Sequence, residues 1–379
     1  MVIPHQKQLF SIPEGVTYMN CANMAPFLRT VEAAGIRAIE QRREPWTISA
    51  DQWFGPAEEL RALFARIVGA EKDQVALIPS VSYGLAIAQR NISLHAGQRI
   101  VILDQQYPSN VYAWQELAAS AGAVIDRVKR EVGESWAEAI VRKIDHRTGL
   151  VAVPNCHWTD GSLIDLEQVS GKVRAVGAKL VVDASQSLGA YPLDVRKIQP
   201  DFVVTVGYKW LLGPYNLGYL YAAPAYHAKG NPIEWSWMVK EGSDDFTRLV
   251  DYTEEYKPGA RRFDAGEFAS FIHIPMAMAA LQQILDWGVE NIHASLSVLT
   301  GAIVERARGL GLEVTPGDRV GHMVGIRVAA ERIALLQKKL VENKIYISFR
   351  GSNMRIAPHL YNELSDVERF FSCLLSYLR

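Results

Sequence analysis

The chain has 379 residues, of which 49% are hydrophobic, and its 40 basic and 41 acidic residues leave a formal net charge of −1. This length exceeds one compact core, and the even spread of charge argues against nucleic acid or a membrane as a partner. Three widely spaced cysteines, Cys21, Cys156 and Cys373, fit neither a disulfide framework nor a metal site and favour a reducing compartment, so we expect a cytoplasmic protein.

Short β-branched segments alternate with longer segments of helical period as far as residue 221. An amphipathic helix at 58–68 ends at Gly69. The strands predicted after it cover 74–78, 99–103, 124–128, 150–153, 179–182, 202–206 and 217–221, and the helices 82–91, 110–121, 135–144 and 166–175. Most of these strands are apolar on both faces. This indicates an α/β fold with a mostly parallel seven-stranded sheet that is flanked by helices.

The pattern changes after residue 221. Residues 230–265 are rich in Gly, Pro, Trp and charge and predict an irregular segment over a surface or an interface, and a long helical region follows at about 275–309. The C-terminal part then alternates strand (321–328), helix (331–343), two strands (345–349 and 354–357) and a helix (364–378). We therefore predict a large domain at 15–285 and a smaller α+β domain at 286–379, with residues 1–14 packing on the small domain.

Asp183 and Lys209 stand at the ends of two predicted strands. The carboxyl ends of parallel strands converge on one crevice, so we expect the two side chains to share a site. A lysine can form a Schiff base with pyridoxal 5′-phosphate and then move the α-proton of an amino acid, while an aspartate can keep the pyridine nitrogen protonated. Apolar neighbours around Lys209 disfavour an idle surface charge and would lower its pKa. The pair therefore predicts a pyridoxal phosphate site.

The sequence around this pair reads DASQ at 183–186 and GYKWLLGPYNLGYLY at 207–221. It resembles the fold-type I pyridoxal phosphate enzymes of the class V aminotransferase group, which includes cysteine desulfurases, kynureninases and several aminotransferases. The resemblance implies that Gln186 binds the ring hydroxyl. It also places the cofactor phosphate on Ser82, Tyr83 and Gly84 at the start of a predicted helix, where free N–H groups and the helix dipole favour an anion.

The resemblance implies further roles at the ends of neighbouring strands. Tyr107 would stack on the pyridine ring, and Tyr208, beside the lysine, would bind the phosphate. Trp158 would line the substrate pocket, and Thr159 would reach the ring oxygen. His157 is interpreted as structural, because the lysine already serves as the base.

In the C-terminal part, the resemblance assigns the substrate α-carboxylate to Arg355, with Arg350 as the alternative. A guanidinium suits this role because it forms a planar, bidentate pair with a carboxylate. Asn23 would border the substrate channel. A homodimer is also implied, with the 230–270 region in the contact.

The residues do not fix the reaction. Cysteine desulfurases carry a mobile cysteine in the segment before the carboxylate-binding arginine, and residues 341–354 contain none. We predict an aminotransferase that acts on an amino acid and a keto acid. A kynureninase-like or cysteine/selenocysteine lyase-like enzyme, or an epimerase, would use the same residues. The alternative that is not an enzyme is a non-catalytic relative that keeps the fold and binds a partner. A nicotinamide dehydrogenase is disfavoured, because no G-x-G-x-x-G motif follows an early strand.

Overall fold

A computed structural model describes residues 1–378, which form helices around three β-sheets. The helices are α1 (Arg29–Gln41), α2 (Ala50–Val68), α3 (Val81–Asn91), α4 (Ser109–Ala121), α5 (Trp136–Lys143), α6 (Leu166–Ala175), α7 (Val195–Ile198), α8 (His273–Trp287), α9 (Val289–Gly309), α10 (Ala330–Glu342) and α11 (Leu364–Leu378). The strands are β1 (Thr17–Tyr18), β2 (Val75–Ile78), β3 (Arg99–Leu103), β4 (Val124–Val128), β5 (Thr148–Pro154), β6 (Lys179–Asp183), β7 (Phe202–Val206), β8 (Gly218–Ala222), β9 (Val324–Arg327), β10 (Ile345–Tyr346), β11 (Ser348–Arg350) and β12 (Asn353–Ile356).

The large sheet has seven strands in the order β2-β8-β7-β6-β5-β3-β4. Strand β8 runs antiparallel to both of its neighbours, and the remaining pairs are parallel. Buried apolar side chains cover both faces of this sheet. The predicted α/β fold with a mostly parallel seven-stranded sheet is therefore confirmed.

Several element boundaries differ from the prediction. Helix α2 continues through Pro56 back to Ala50, where the Ser49–Gln52 capping box begins it, and it ends at Gly69 with a left-handed φ of 71°, as predicted. The long helical region is two helices, because Gly288 takes a φ of 77° between α8 and α9. Residues 345–349 divide between β10 and β11. Helix α1 has no counterpart in the prediction.

The C-terminal residues build a three-stranded antiparallel sheet in the order β11-β12-β9. One face of it packs on a separate apolar cluster with α9, α10 and α11. The N-terminal segment contacts this part: Gln6 N–H donates to the Leu360 carbonyl, and Ile3 N–H donates to Ser295 Oγ.

The domain boundary at residue 286 stays a prediction. Within residues 1–378, no helix has the length and apolarity that a bilayer span requires.

Candidate active site

A cavity of about 220 Å³ lies where the carboxyl ends of β2, β3, β5, β6 and β7 meet. Each of these strands ends just before a segment that contributes to the cavity wall. The wall is formed by Pro79, Ser80, Val81, Ser82, Gln106, Tyr107, Ser109, Pro154, Cys156, Trp158, Asp183, Ser185, Gln186, Val206, Tyr208, Lys209, Tyr215 and Asn216. The converging parallel strands thus bring Asp183 and Lys209 into one site, as the spacing of the strands predicted.

Lys209 is a buried amine on the cavity wall. Its Nζ atom lies 5.7 Å from the ring centre of Tyr107 and 5.7 Å from that of Tyr208. Burial lowers the pKa of Lys209 to about 8, the Asp183 carboxylate opposes that shift, and Arg355 and Arg350 add to it. A much larger share of this lysine is therefore neutral near pH 7 than of a lysine in water.

Asp183 ends strand β6 and is buried. Its Oδ1 atom accepts hydrogen bonds from the Ser185 hydroxyl at 2.6 Å and from the Ser185 backbone N–H at 3.0 Å. Burial raises the pKa of Asp183, and the bonds from Ser185 and the charge of Lys209 act against that rise. The carboxylate is thus oriented by Ser185 and stabilised by a positive charge placed beside it.

Helix α3 begins at the cavity. Ser80 caps it by accepting a hydrogen bond from Tyr83 N–H, and its hydroxyl lies 3.0 Å from that of Ser82. The first N–H groups of a helix have no partner within the helix, so this end can bind an anion. Tyr83 is not among the residues that line the cavity. Burial and a hydrogen bond with the Glu234 carboxylate raise the pKa of its hydroxyl. Gly84 lies on the side of helix α3 that packs against the sheet, where an added Cβ atom would be 2.7 Å from Val204 Cγ1 of strand β7.

The Gln186 amide is fixed at both ends. Its Oε1 atom accepts a hydrogen bond from Trp210 Nε1 at 3.1 Å, and its Nε2 atom donates to the Ala22 carbonyl at 3.0 Å. The backbone carbonyl of Gln186 lies 2.6 Å from Nε2 of the buried His322. Because an amide nitrogen carries two hydrogens, one remains for the cavity, so Gln186 is a donor towards it.

Tyr107 and Trp158 form an aromatic wall, with their ring centres 5.4 Å apart in an edge arrangement. Trp158 Nε1 donates to the carbonyl of Gln105, a residue with a φ of 53°. Thr159 does not line the cavity, and its hydroxyl lies 2.8 Å from Nδ1 of His157. His157 in turn stacks on Trp136 at 5.3 Å. Thr159 and His157 are therefore bonded to each other and do not line the cavity.

Arg355, on strand β12, is not among the residues that line the cavity, but it contacts Trp158, which is. It is 1% exposed, its Nη1 donates to the Trp158 carbonyl at 2.8 Å, and its Nη2 donates to Ser348 Oγ at 3.2 Å. Burial lowers its pKa to about 9. Arg350 lies 5.9 Å from the Trp158 ring, and its Nη2 is 3.4 Å from Oδ1 of Asn23. Asn23 itself is exposed and does not line the cavity.

The family pattern described as Aminotransferase class-V matches residues 23–370. The chain belongs to the class-V aminotransferase family. It is 29% identical to an uncharacterized aminotransferase, YcbU, of Bacillus subtilis (strain 168), over 96% of this chain and 95% of that protein. It is 32% identical to a probable cysteine desulfurase of Synechocystis sp. over 76% and 71%, and 24% identical to the kynureninase of Geobacillus thermodenitrificans over 96% and 88%. The predicted family and its cofactor, pyridoxal 5′-phosphate, are thus confirmed.

Solved structures show the same fold. The apo cysteine desulfurase of Thermococcus onnurineus NA1 superposes with a TM-score of 0.87 at 19% identity, covering 99% of both chains. A complex of the cystine C–S lyase C-DES with cysteine persulfide superposes with a TM-score of 0.85 at 19% identity, covering 95% of this chain and 97% of that one. At these identities the likeness establishes the fold, and the reaction has to be argued from the site.

The side chains present fit pyridoxal phosphate. A protonated pyridine nitrogen would give the buried Asp183 carboxylate the positive charge that it needs, and the free N–H of Gln186 suits the phenolate oxygen of the ring. The hydroxyls of Ser80 and Ser82 stand at the α3 N-terminus, where a phosphate is favoured. Lys209 would provide the amine for covalent attachment.

Three residues of the site were missed by sequence reasoning. Ser185 orients Asp183, and Tyr215 and Asn216 close the cavity beside Lys209. The spacing Asp-x-Ser gave a signal for Ser185, because a hydroxyl two residues on can bond back to a carboxylate. Tyr215 reaches the site through a turn in which Leu212 and Asn216 take positive φ values of 55° and 63°. Gly213, Pro214 and Asn216 indicate a turn in the sequence, but not that Tyr215 lines the cavity.

Proposed function

We propose that this protein is an aminotransferase of the class V type, which moves the amino group of an amino acid to a keto acid. The observation that carries the proposal is Lys209, a buried amine with a pKa lowered to about 8 on a cavity that Asp183 also lines. A base whose pKa lies near the working pH transfers protons efficiently in both directions. The 29% identity to an aminotransferase across almost the whole chain supports the same reading.

Each residue of the site has a part in this reaction. Lys209 Nζ takes the α-proton of the amino donor and returns a proton as the general acid. Arg355 holds the α-carboxylate, because its guanidinium is buried and has no carboxylate partner among the described residues. When bound, the cofactor supplies the electron sink and carries the amino group between the two substrates. The donor leaves as its keto acid and the acceptor as an amino acid, so no external oxidant is required.

The cysteines argue against a desulfurase that forms a persulfide on the protein. Cys21 and Cys156 are fully buried, and burial raises the pKa of both thiols well above the usual value. A thiolate is the nucleophile that such a step needs. Cys373 lies in α11, packed against the C-terminal apolar cluster. Residues 341–354, from the end of α10 to the start of β12, contain no cysteine.

The test is a two-substrate assay on the protein loaded with pyridoxal phosphate. An aminotransferase converts the donor to its keto acid only when an acceptor keto acid is present in turnover amounts, and one new amino acid forms for each donor consumed. Lys209→Ala should abolish turnover, while Lys338→Ala, at an exposed position on α10, should not. Keto acid and ammonia released without an acceptor would instead establish a lyase, and inversion of the donor's α-carbon an epimerase.

We also propose a homodimer in the cytoplasm. Several large apolar side chains in the irregular 230–270 segment are exposed in the single chain, as a contact surface requires: Trp235, Trp237, Phe246, Leu249, Val250 and Tyr252. The cytoplasmic location rests on the three unpaired cysteines. Light scattering tests the dimer, and Trp235→Glu should shift the population towards the monomer. A wild-type protein that is monomeric at micromolar concentration would contradict it.

A further inference from the structure

Three arginines point from one face of the C-terminal sheet. In the β11–β12 ladder, Ser348 faces Arg355 and Arg350 faces Asn353, and in the β12–β9 ladder Asn353 faces Arg327. Directly paired residues, and residues two apart on one strand, project to the same side. Met354 and Ile356 project to the other side, into the apolar cluster. Arg327, Arg350 and Arg355 therefore share the face opposite that cluster.

The three differ in their counter-charges. Arg327 forms an ion pair with Glu313 at 3.0 Å. Arg350 and Arg355 form no ion pair with any carboxylate of the described residues 1–378. Their hydrogen-bond partners are neutral: the Phe349 carbonyl and the Asn23 amide for Arg350, and the Trp158 carbonyl and the Ser348 hydroxyl for Arg355. Arg355 Nε, although buried, has no hydrogen-bond partner at all. Two neighbouring cations thus lack an anion.

The two uncompensated arginines lie close to each other, which raises the electrostatic cost of leaving them without an anion. Arg350 is the diagonal neighbour of Arg355 across the β11–β12 ladder, a spacing of about 7–8 Å between Cα atoms. Like charges at such a spacing repel, and burial strengthens the repulsion. Each guanidinium also acts on Lys209, whose pKa both of them lower. A ligand that brings two negative charges would compensate both guanidinium groups.

Neither arginine is among the residues that line the cavity, but both contact Trp158, which is. Arg355 holds its carbonyl oxygen, and Arg350 lies over its ring. A substrate whose α-carboxylate pairs with Arg355 would extend its side chain along this ring towards Arg350. The planar guanidinium of Arg350 suits a second carboxylate, which it can bind through two parallel hydrogen bonds.

We infer that the substrate is dicarboxylic: Arg355 binds the α-carboxylate and Arg350 the carboxylate at the far end of the side chain. The inference rests on the proposed function for the amino group transfer, and it adds the substrate class, a dicarboxylic amino acid or its 2-oxo dicarboxylate. Arg350 is then a residue that determines specificity.

A binding measurement tests it separately from the reaction. Calorimetric titration of the protein loaded with pyridoxal phosphate should show glutarate binding about 10- to 100-fold more tightly than valerate, which has one carboxylate and the same chain length. Arg350→Gln should remove that preference and leave the affinity for valerate unchanged. Arg350→Lys should restore part of it, and Arg327→Gln, the ion-paired arginine on the same face, should have no effect.

In the two-substrate assay, kcat/KM for glutamate should exceed that for glutamine by a similar factor, and Arg350→Gln should lower only the former. Equal affinity for glutarate and valerate in the wild type, or an equal loss of both in Arg350→Gln, would overturn the dicarboxylate site. If glutarate is preferred but no amino acid donates its amino group, the aminotransferase proposal fails and the dicarboxylate site stands.

Discussion

Trp210 Nε1 donates a hydrogen bond to Gln186 Oε1 at 3.1 Å. The bond joins the residue that follows Lys209 to the residue three positions after Asp183, and so it links the ends of the neighbouring strands β6 and β7. It also decides which way the Gln186 amide faces. Because the carbonyl accepts from Trp210 and one N–H donates to Ala22, the second N–H is left for the cavity.

Replacing Trp210 by phenylalanine should therefore weaken cofactor binding. The aromatic packing stays, but the Gln186 amide loses the bond that orients it. Loss of one such bond corresponds to about a 2- to 12-fold lower affinity for pyridoxal phosphate, measured by titrating the apoprotein and following cofactor absorbance. Trp287→Phe is the control: it makes the same replacement at another buried tryptophan, in α8, and should leave the affinity for pyridoxal phosphate unchanged. An unchanged affinity in Trp210→Phe would show that the amide is oriented by other contacts.

The lowered pKa of Lys209 predicts a pH dependence for cofactor attachment. The neutral amine is the nucleophile, so the rate at which the apoprotein captures pyridoxal phosphate should rise with pH and level off above about 8. Asp183 raises this pKa and Arg355 lowers it. The midpoint should therefore move to lower pH in Asp183→Asn and to higher pH in Arg355→Gln. Stopped-flow absorbance measures it, and a wild-type midpoint near 10.5 would contradict the burial of the amine.

Gly84 predicts a steric effect beneath the phosphate site. A Cβ atom there would lie 2.7 Å from Val204 Cγ1 and 2.8 Å from Ile78 Cδ1. Gly84→Ala should lower the free energy of unfolding by about 1–3 kcal/mol and weaken cofactor binding, because it pushes helix α3 away from the sheet. Gly171, also within a helix, has no atom within 4 Å of its added Cβ. Gly171→Ala should instead stabilise the protein by about 0.5–1 kcal/mol in urea denaturation. Equal effects of the two changes would refute the packing argument.

A buried ion pair holds the loop of residues 259–266 against the large sheet. Arg61 and Asp264 are both buried and form a bidentate pair at 2.9 and 2.5 Å, and Asp264 also accepts the Leu77 N–H. Arg61→Ala leaves the Asp264 carboxylate buried without its cation and should cost about 3–5 kcal/mol of unfolding free energy. Arg248→Ala, which breaks an exposed pair with Asp251, should leave the denaturation midpoint unchanged. A small loss in Arg61→Ala would mean that water replaces the guanidinium.

The sequence by itself determined the family, the sheet and the pair at its centre. Apolar runs such as 99–103 and 202–206 matched strands β3 and β7 residue for residue, because a strand buried on both faces has a continuous hydrophobic signature. Asp183 ends one such strand and Lys209 lies three residues after another. The convergence of parallel strand ends is a property of the fold rather than of this chain.

Only the tertiary structure decided what depends on contacts between distant segments. The Thr159 hydroxyl turned to His157, and the Tyr83 side chain turned away from the cavity. The left-handed turn at Leu212 and Asn216 brought Tyr215 to the site. Arg350 and Arg355 became neighbours through the pairing register of two short strands. Whether a carboxylate lies beside these arginines depends on side chains from distant segments of the chain, so the local sequence does not indicate it.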